Sequence, residues 1–374
     1  MTIALSRRSL LGAASVGTAA ALVGAPVLAA AKAAAKPLFG PAPGIAWLTY
    51  NENPYGPSPK AMAAMADAAA KGCYYADDAT DRLRAMVAER FGLTAAHAAI
   101  GNGSTEVLSA AALEWGRHGP IVCPELFFDE PLQVAVRHGA KLVRVPLRPD
   151  MNIDLEAMAA AAAANKASMV YLCNPNNPTA MLVDPQALRA FSSSLPSETV
   201  LLVDEAYNEL TDRPRPNSMF DLVAAGRNVI VSRTFSKIYG LAGMRIGYAL
   251  STPANAERIN SNIMTVDLGT AALAAAIASL NDEAFMAFSK RRILEARGMI
   301  LEATRKAGLE VLPSQANFVF VRVPDANAFK AHMAEREIIV RGAYGKWKSW
   351  SRVSTGKIED VRRYAAALPG ALRS

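Results

Sequence analysis

Between residues 120 and 250 the chain repeatedly returns to short apolar runs, each separated from the next by a helical or turn-rich stretch. Pro120–Cys123, Lys141–Val145, Ser168–Cys173, Thr199–Val203, Asn228–Thr234 and Arg245–Leu250 read as strands, with helices at Glu130–His138 and Leu155–Ala164 among them. Strands that are apolar along their whole length, rather than on alternate residues, are buried on both faces. Strands alternating with helices join in parallel, because a parallel neighbour needs a crossover connection. The expected fold class is therefore α/β, a large domain whose mostly parallel sheet is sandwiched by helices.

Flanking segments extend this plan. WLTYNENPYGPSP is irregular, its prolines at 54, 57 and 59 opposing regular structure, and helices follow at Lys60–Lys71, near Thr80–Phe91 and from Ser104. From about Thr270 a long helical region leads to a strand at Asn317–Val323, a helix at Ala326–Glu335 and a strand near Ile338–Val340, the texture of a smaller α+β domain. With 374 residues and 52% hydrophobic content, the chain suffices for two such domains.

The first residues are of another kind. Ser6-Arg7-Arg8-Ser9-Leu10-Leu11, an apolar stretch to about Ala31 and small residues at Leu28–Ala31 read as an export signal of twin-arginine type, residues 1–31, which addresses folded proteins to the bacterial periplasm. A cofactor could then be loaded before export, and no stable membrane span would remain after cleavage. An uncleaved N-terminal anchor is the alternative.

Composition excludes several functions. The net charge of +7 is spread along the chain, so no basic stripe marks a nucleic-acid surface, and an acidic small substrate or a phosphate is the easier partner. Cys73, Cys123 and Cys173 form no CxxC pair, and His97, His118, His138 and His332 have no ligand spacing, so no metal site is expected.

Polar residues gather instead where strands end. Ile100-Gly-Asn-Gly-Ser-Thr-Glu106 sets a glycine turn before a helix, so that Gly103, Ser104 and Thr105 can face an anion; Thr234, Ser236 and Arg245 would complete a phosphate cradle. Cys173-Asn-Pro-Asn-Asn-Pro-Thr-Ala180 can present the Asn177 amide to a ring hydroxyl, although a plain proline turn would look the same. Thr199-Val-Leu-Leu-Val-Asp-Glu-Ala-Tyr207 ends an apolar strand on a carboxylate, Asp204, which is costly there without a cationic partner. Lys237, in VSRTFSKIYGLAGMRIGY, is an amine able to condense with an aldehyde. An aldehyde for Lys237, a protonated ring nitrogen for Asp204, a ring oxygen for Asn177 and Tyr207 and a phosphate for the glycine turn together describe pyridoxal 5′-phosphate.

In this respect the sequence resembles the class I/II (fold type I) aminotransferases, and among them the histidinol-phosphate aminotransferase-like branch. NENPYGPSP at 51–59, GNGSTE at 101–106, NPNNPT at 174–179, DEAY at 204–207, SKIYGLAGMRIGY at 236–248, ANF at 316–318 and SRVSTG at 351–356 occur in the family's order, from about Leu48 to Thr355. The resemblance implies a fold type I architecture, with an N-terminal arm and part of the small domain in 32–70, a large cofactor-binding domain in 71–265 and a small C-terminal domain in 266–374. It makes Lys237 the Schiff-base residue, with Asp204 and Tyr207 as its catalytic companions, Phe128 the aromatic that stacks on the ring, and Tyr55 a contact to the phosphate of a neighbouring subunit. Arg352 would grip the substrate carboxylate, with Asn53 and Asn177 beside it. A homodimer with shared sites, acting on an amino acid and a 2-oxo acid, is the implied assembly. A decarboxylase or lyase of the same fold, similar to threonine-phosphate decarboxylase, and a non-catalytic exported paralogue are the alternatives. Three departures stand out: Ala180 where the family has glycine, Phe128 where tyrosine is common, and Asn260–Val266 without the Pro-Tyr-Asn-Val pattern of histidinol-phosphate enzymes.

Overall fold

A computed structural model describes residues 37–264 and 268–372. The leader read at 1–31 lies outside the described residues, as do 265 and 266 of the Asn260–Val266 segment. Compactness divides the chain into Met1–Ala42 and Pro43–Ser374; all strands and helices among the described residues belong to the second unit.

That unit contains strands β1 (Ala46–Leu48), β2 (Ala98–Asn102), β3 (Ile121–Pro124), β4 (Leu142–Val145), β5 (Met169–Cys173), β6 (Val200–Asp204), β7 (Val229–Thr234), β8 (Ile246–Leu250), β9 (Phe318–Arg322), β10 (Ile338–Val340) and β11 (Trp350–Ser354). Seven of them form one sheet in the order β2-β8-β7-β6-β5-β3-β4. Within it β4, β3, β5, β6 and β7 run parallel, and β8 is antiparallel to both of its neighbours. Every residue of β5, β6, β7 and β8 is buried, as strands covered on both faces require.

Sheet residues such as Val122, Tyr171, Leu202 and Ile230 share one core with Leu83, Trp115 and Leu188 from the covering helices. A second core joins β1, β9, β10 and β11 to the helices Glu283–Lys306, Ala326–Ala334 and Ile358–Ala371. The helical region after Thr270 breaks at Asn281-Asp282 into Thr270–Leu280 and Glu283–Lys306, which meet at 86°. Leu273, Ala276 and Leu280 of the first helix pack into the sheet's core together with Ile293 of the second, whereas Ala296 and Ile300 of that second helix join the other core. Among the described residues no single helix is long and apolar enough to cross a membrane.

Several elements differ from the sequence reading. Pro59 opens the helix Pro59–Ala69, where a missing N–H costs nothing, and Ser58 Oγ caps it by accepting from Ala61 N at 3.1 Å. β2 was not anticipated: Ala-Ala-Ile-Gly-Asn has little intrinsic strand preference, and its state is set by pairing with β8. β1 likewise depends on a distant partner, β10.

Candidate active site

Parallel register aligns the strand ends that carry the polar residues. Cys173 lies opposite Asp204, Asp204 opposite Ser232, and Thr234 opposite Gly247, while Gly103 bridges to Ile246 at the neighbouring edge. The loops leaving β2, β5, β6 and β7 therefore open onto one place, the position where ligands bind in open α/β sheets. A cavity of about 490 Å³ lies there. Its walls bring together Ser104, Thr105, Phe128, Asn177, Asp204, Tyr207, Thr234, Ser236, Lys237, Arg245 and, from β11, Arg352.

One end suits a phosphate. Helix Ser104–Gly116 begins at the cavity with Gly103 as its N-cap at φ +80°. Arg245 Nη1 donates to Ser236 Oγ at 3.3 Å, and Thr234 Oγ1 donates to the same hydroxyl at 2.9 Å. A Cβ at Gly103 would fall on the Arg245 guanidinium, and one at Gly247 on the Ser104 amide nitrogen. Both glycines thus permit a cation and a helix N-terminus to converge, a combination that favours a bound anion. No carboxylate among the described residues lies within ion-pair distance of Arg245.

The middle of the cavity suits a protonated ring. Asp204 is buried, and burial pushes its carboxyl up to about 6 against the opposing effects of Ala206 N–H, Tyr171 and Lys237. Ala206 N donates to Asp204 Oδ1 at 3.2 Å and the Tyr171 hydroxyl to Oδ2 at 3.4 Å. Both are neutral donors, so a cation placed at the cavity side would relieve the desolvation. Lys237, half-buried, is pushed down to about 8, first by burial and next by the Arg352 cation, which leaves part of the amine uncharged near neutrality. Its Nζ lies 5.7 Å from the centre of the Tyr207 ring. These groups fit the aldehyde, ring nitrogen and phosphate of pyridoxal phosphate.

Arg352 closes the opposite end and is 7% exposed. Nη1 donates to Asn177 Oδ1 at 2.7 Å and Nη2 to the Thr49 carbonyl at 2.5 Å, whereas Nε has no acceptor. Its described hydrogen-bond partners are neutral. A buried guanidinium without a carboxylate is costly unless an anionic ligand completes it.

Two expected residues lie elsewhere. Asn53 does not line the cavity; its Nδ2 donates to the Ile238 carbonyl at 2.8 Å and to Ser289 Oγ at 3.0 Å, tying the arm to the turn after Lys237. Tyr55 is also outside the cavity of its own chain, its hydroxyl accepting from Ile358 N at 3.1 Å. In turn the cavity includes Tyr50, Asn51, Phe127, Arg341 and Tyr344, which the sequence did not single out. Arg341 arrives by pairing across to Arg352, its N donating to the Arg352 carbonyl at 3.0 Å, and its guanidinium lies 5.5 Å from the centre of the Tyr344 ring. No local motif announces either residue, although Asn51 heads the Asn-Glu-Asn-Pro stretch.

The sequence profile of the family aminotransferase class I and II matches residues 43–368. Histidinol-phosphate aminotransferase 1 of Cupriavidus pinatubonensis is 37% identical over 340 residues, 88% of this chain and 89% of that protein. The corresponding enzyme of Symbiobacterium thermophilum is 37% identical over 330 residues, 87% of this chain and 90% of its own. Among solved structures, histidinol-phosphate aminotransferase of Sinorhizobium meliloti in complex with pyridoxal 5′-phosphate superposes with a TM-score of 0.80 at 33% identity, covering 88% of this chain and 91% of that one.

Proposed function

The chain belongs to the class I and II aminotransferases and is a pyridoxal-phosphate-dependent transaminase of fold type I, and from that premise we propose that it exchanges the amino group of an anionic amine with a 2-oxo acid, as an exported homodimer with shared sites. The observation that carries the substrate class is the buried Arg352, whose Nε has no acceptor and whose described partners are neutral. Arg341 adds a second guanidinium to the same cavity, with no described carboxylate in ion-pair distance. Two such forks suit phosphate as well as carboxylate, in keeping with relatives named for histidinol phosphate.

The cofactor supplies the carbonyl that takes up the amino group and the ring that spreads negative charge from the substrate carbon. Each protein group then has a bounded task. Asp204, ionised above about pH 6, balances a proton on the ring nitrogen. Tyr207 and Asn177 would hold the ring oxygen, Phe128 would pack on the ring, and the Gly103 turn with Arg245 would anchor the phosphate, all from the walls of the one cavity. Arg352 fixes the substrate by its anionic end, so the bond to be deprotonated faces Lys237. Lys237, with a lowered proton affinity, takes the proton at the substrate carbon and returns it at the adjacent position, as a base poised near working pH should.

Tyr55 supports the shared sites: it lies outside its own cavity, on a proline-stiffened arm, and in a dimer it would reach the partner's phosphate. Exposed Met62, Tyr74 and Tyr75 supply apolar surface for such an interface. The leader with Arg7 and Arg8 supports export. Screening amines against pyruvate and 2-oxoglutarate, with the absorbance of the bound cofactor as readout, tests the substrate class. Turnover confined to amines bearing carboxylate or phosphate supports it; equal turnover of uncharged amines overturns it. Mixing Lys237→Ala with Tyr55→Ala chains should restore one intact site per mixed dimer, and confirmed exchange without recovered activity defeats the shared-site proposal. Retention of an Arg7→Lys, Arg8→Lys chain in the cytoplasm, with wild type in the periplasm, is the corresponding result for export.

A further inference from the structure

Asn51 lies at a junction of the arm, the β11 end and the cavity, in a left-handed backbone conformation at φ +56°. Ser354 Oγ accepts from Asn51 N at 3.0 Å and donates its proton to Asn51 Oδ1 at 2.6 Å. That pair fixes the side-chain amide: with Oδ1 turned to Ser354, Nδ2 points to the Tyr207 hydroxyl, 3.2 Å away. Asn177 is fixed in the same way, since Arg352 Nη1 donates to its Oδ1 and its own Nδ2 then lies 3.4 Å from the same hydroxyl. Reversing the Asn51 amide would leave the Ser354 proton without its acceptor, so the satisfied network has one orientation.

A phenol has one proton to give and two lone pairs to receive with. Both lone pairs of Tyr207 are taken by amide donors, so its proton is left to point into the cavity. We propose that Asn51 is a positioning residue that, together with Asn177, makes the Tyr207 hydroxyl an obligate hydrogen-bond donor toward the cofactor's ring oxygen. This rests on the reading of Tyr207 as the contact to that oxygen. Burial keeps the phenol well above its ordinary pKa, so it remains protonated at working pH. The charged or titratable groups around it are Cys173, Arg352, Asp204 and Lys237, and none replaces the Asn51 contact. Without Asn51 Nδ2, one lone pair is free and the hydroxyl gains other orientations; with a carboxylate in its place, the proton is drawn away from the cavity.

Donation to the ring oxygen favours its ionised form and so lowers the pH at which the visible spectrum of the bound cofactor changes. The test measures that midpoint on holoenzyme, with cofactor content determined in each sample, for Asn51→Gly, Asn51→Asp, Tyr207→Phe and the Asn51→Gly/Tyr207→Phe double variant. Glycine accepts the left-handed backbone and keeps the backbone bond to Ser354, whereas alanine would add strain. Aspartate keeps the Oδ1 contact to Ser354 and provides the measurement should the glycine variant not fold. Upward shifts of roughly half to one pH unit for Asn51→Gly, and at least as much for Asn51→Asp, are expected from the loss of one hydrogen bond. The double variant should match Tyr207→Phe alone, because Asn51 acts through that hydroxyl. A wild-type midpoint in both Asn51 variants beside a shifted Tyr207→Phe, or additive shifts in the double variant, overturns the positioning role and leaves the reading of Tyr207 intact. An unshifted Tyr207→Phe with full cofactor content overturns that reading and the proposal with it.

Discussion

Replacing Asp204 by asparagine should make the cofactor-free protein more stable while it abolishes most of the activity. Burial raises the Asp204 carboxyl from 3.8 to about 6, a difference of roughly two units. At 1.36 kcal/mol per unit the buried carboxylate, once ionised, costs about 3 kcal/mol. The sign follows from linkage. Below about pH 4 the group is protonated in both folded and unfolded chains and contributes nothing. Between about 4 and 6 the unfolded chain releases the proton first, so stability falls, and above 6 the full penalty applies. Asparagine is neutral throughout, can accept from Ala206 N as Oδ1 does now, and is near in shape. Urea unfolding of cofactor-free wild type and Asp204→Asn from pH 4 to 8 should show similar midpoints at the acid end. Toward neutrality the variant should lead by up to about 3 kcal/mol. Transamination by the same variant should fall by on the order of a hundredfold or more, as expected for a preorganised charge. A gap that does not widen with pH, or a variant less stable throughout, refutes the view that this carboxylate is held in an unfavourable site for the sake of its ligand.

Other substitutions probe the remaining parts. Gly103→Ala places a methyl on the Arg245 guanidinium at a positive φ, and cofactor affinity measured by dialysis or fluorescence should drop at least about tenfold, with the fold retained. Arg352→Lys keeps the charge but loses the fork, so KM for carboxylate substrates should rise by roughly one to two orders of magnitude while cofactor content, read from absorbance, stays unchanged. Arg233 is buried between Glu205 Oε2 and Glu209 Oε1, each at 2.8 Å; Arg233→Met removes the cation that both carboxylates face and should cost about 3–5 kcal/mol in denaturant unfolding at neutral pH.

Much of the site was legible because its residues sit beside the strands that present them. Asp204 ends β6, Asn177 follows β5 and Lys237 follows β7, so an apolar run punctuated by a polar residue announced each of them. The sheet itself was legible for the same reason, its strands being apolar throughout. What escaped depends on register between distant segments. Asn51 gains its meaning from Ser354, and Arg341 from its bridge to Arg352, relations that no local spacing encodes. β2 escaped because alanine and glycine carry no strand signal, yet it presents the Gly103 turn. Asn53 illustrates the converse: its place in a conspicuous motif pointed to substrate, whereas its amide is occupied in holding the arm to Ile238 and Ser289.

The most direct measurement concerns Lys237, on which the proposed chemistry depends. Protein reconstituted with pyridoxal phosphate, reduced with borohydride and digested should yield a single pyridoxyl-bearing peptide, with the added mass on Lys237 in the Ser236–Tyr248 segment. A label on another lysine, or a protein that takes up no cofactor at all, would contradict the assignment.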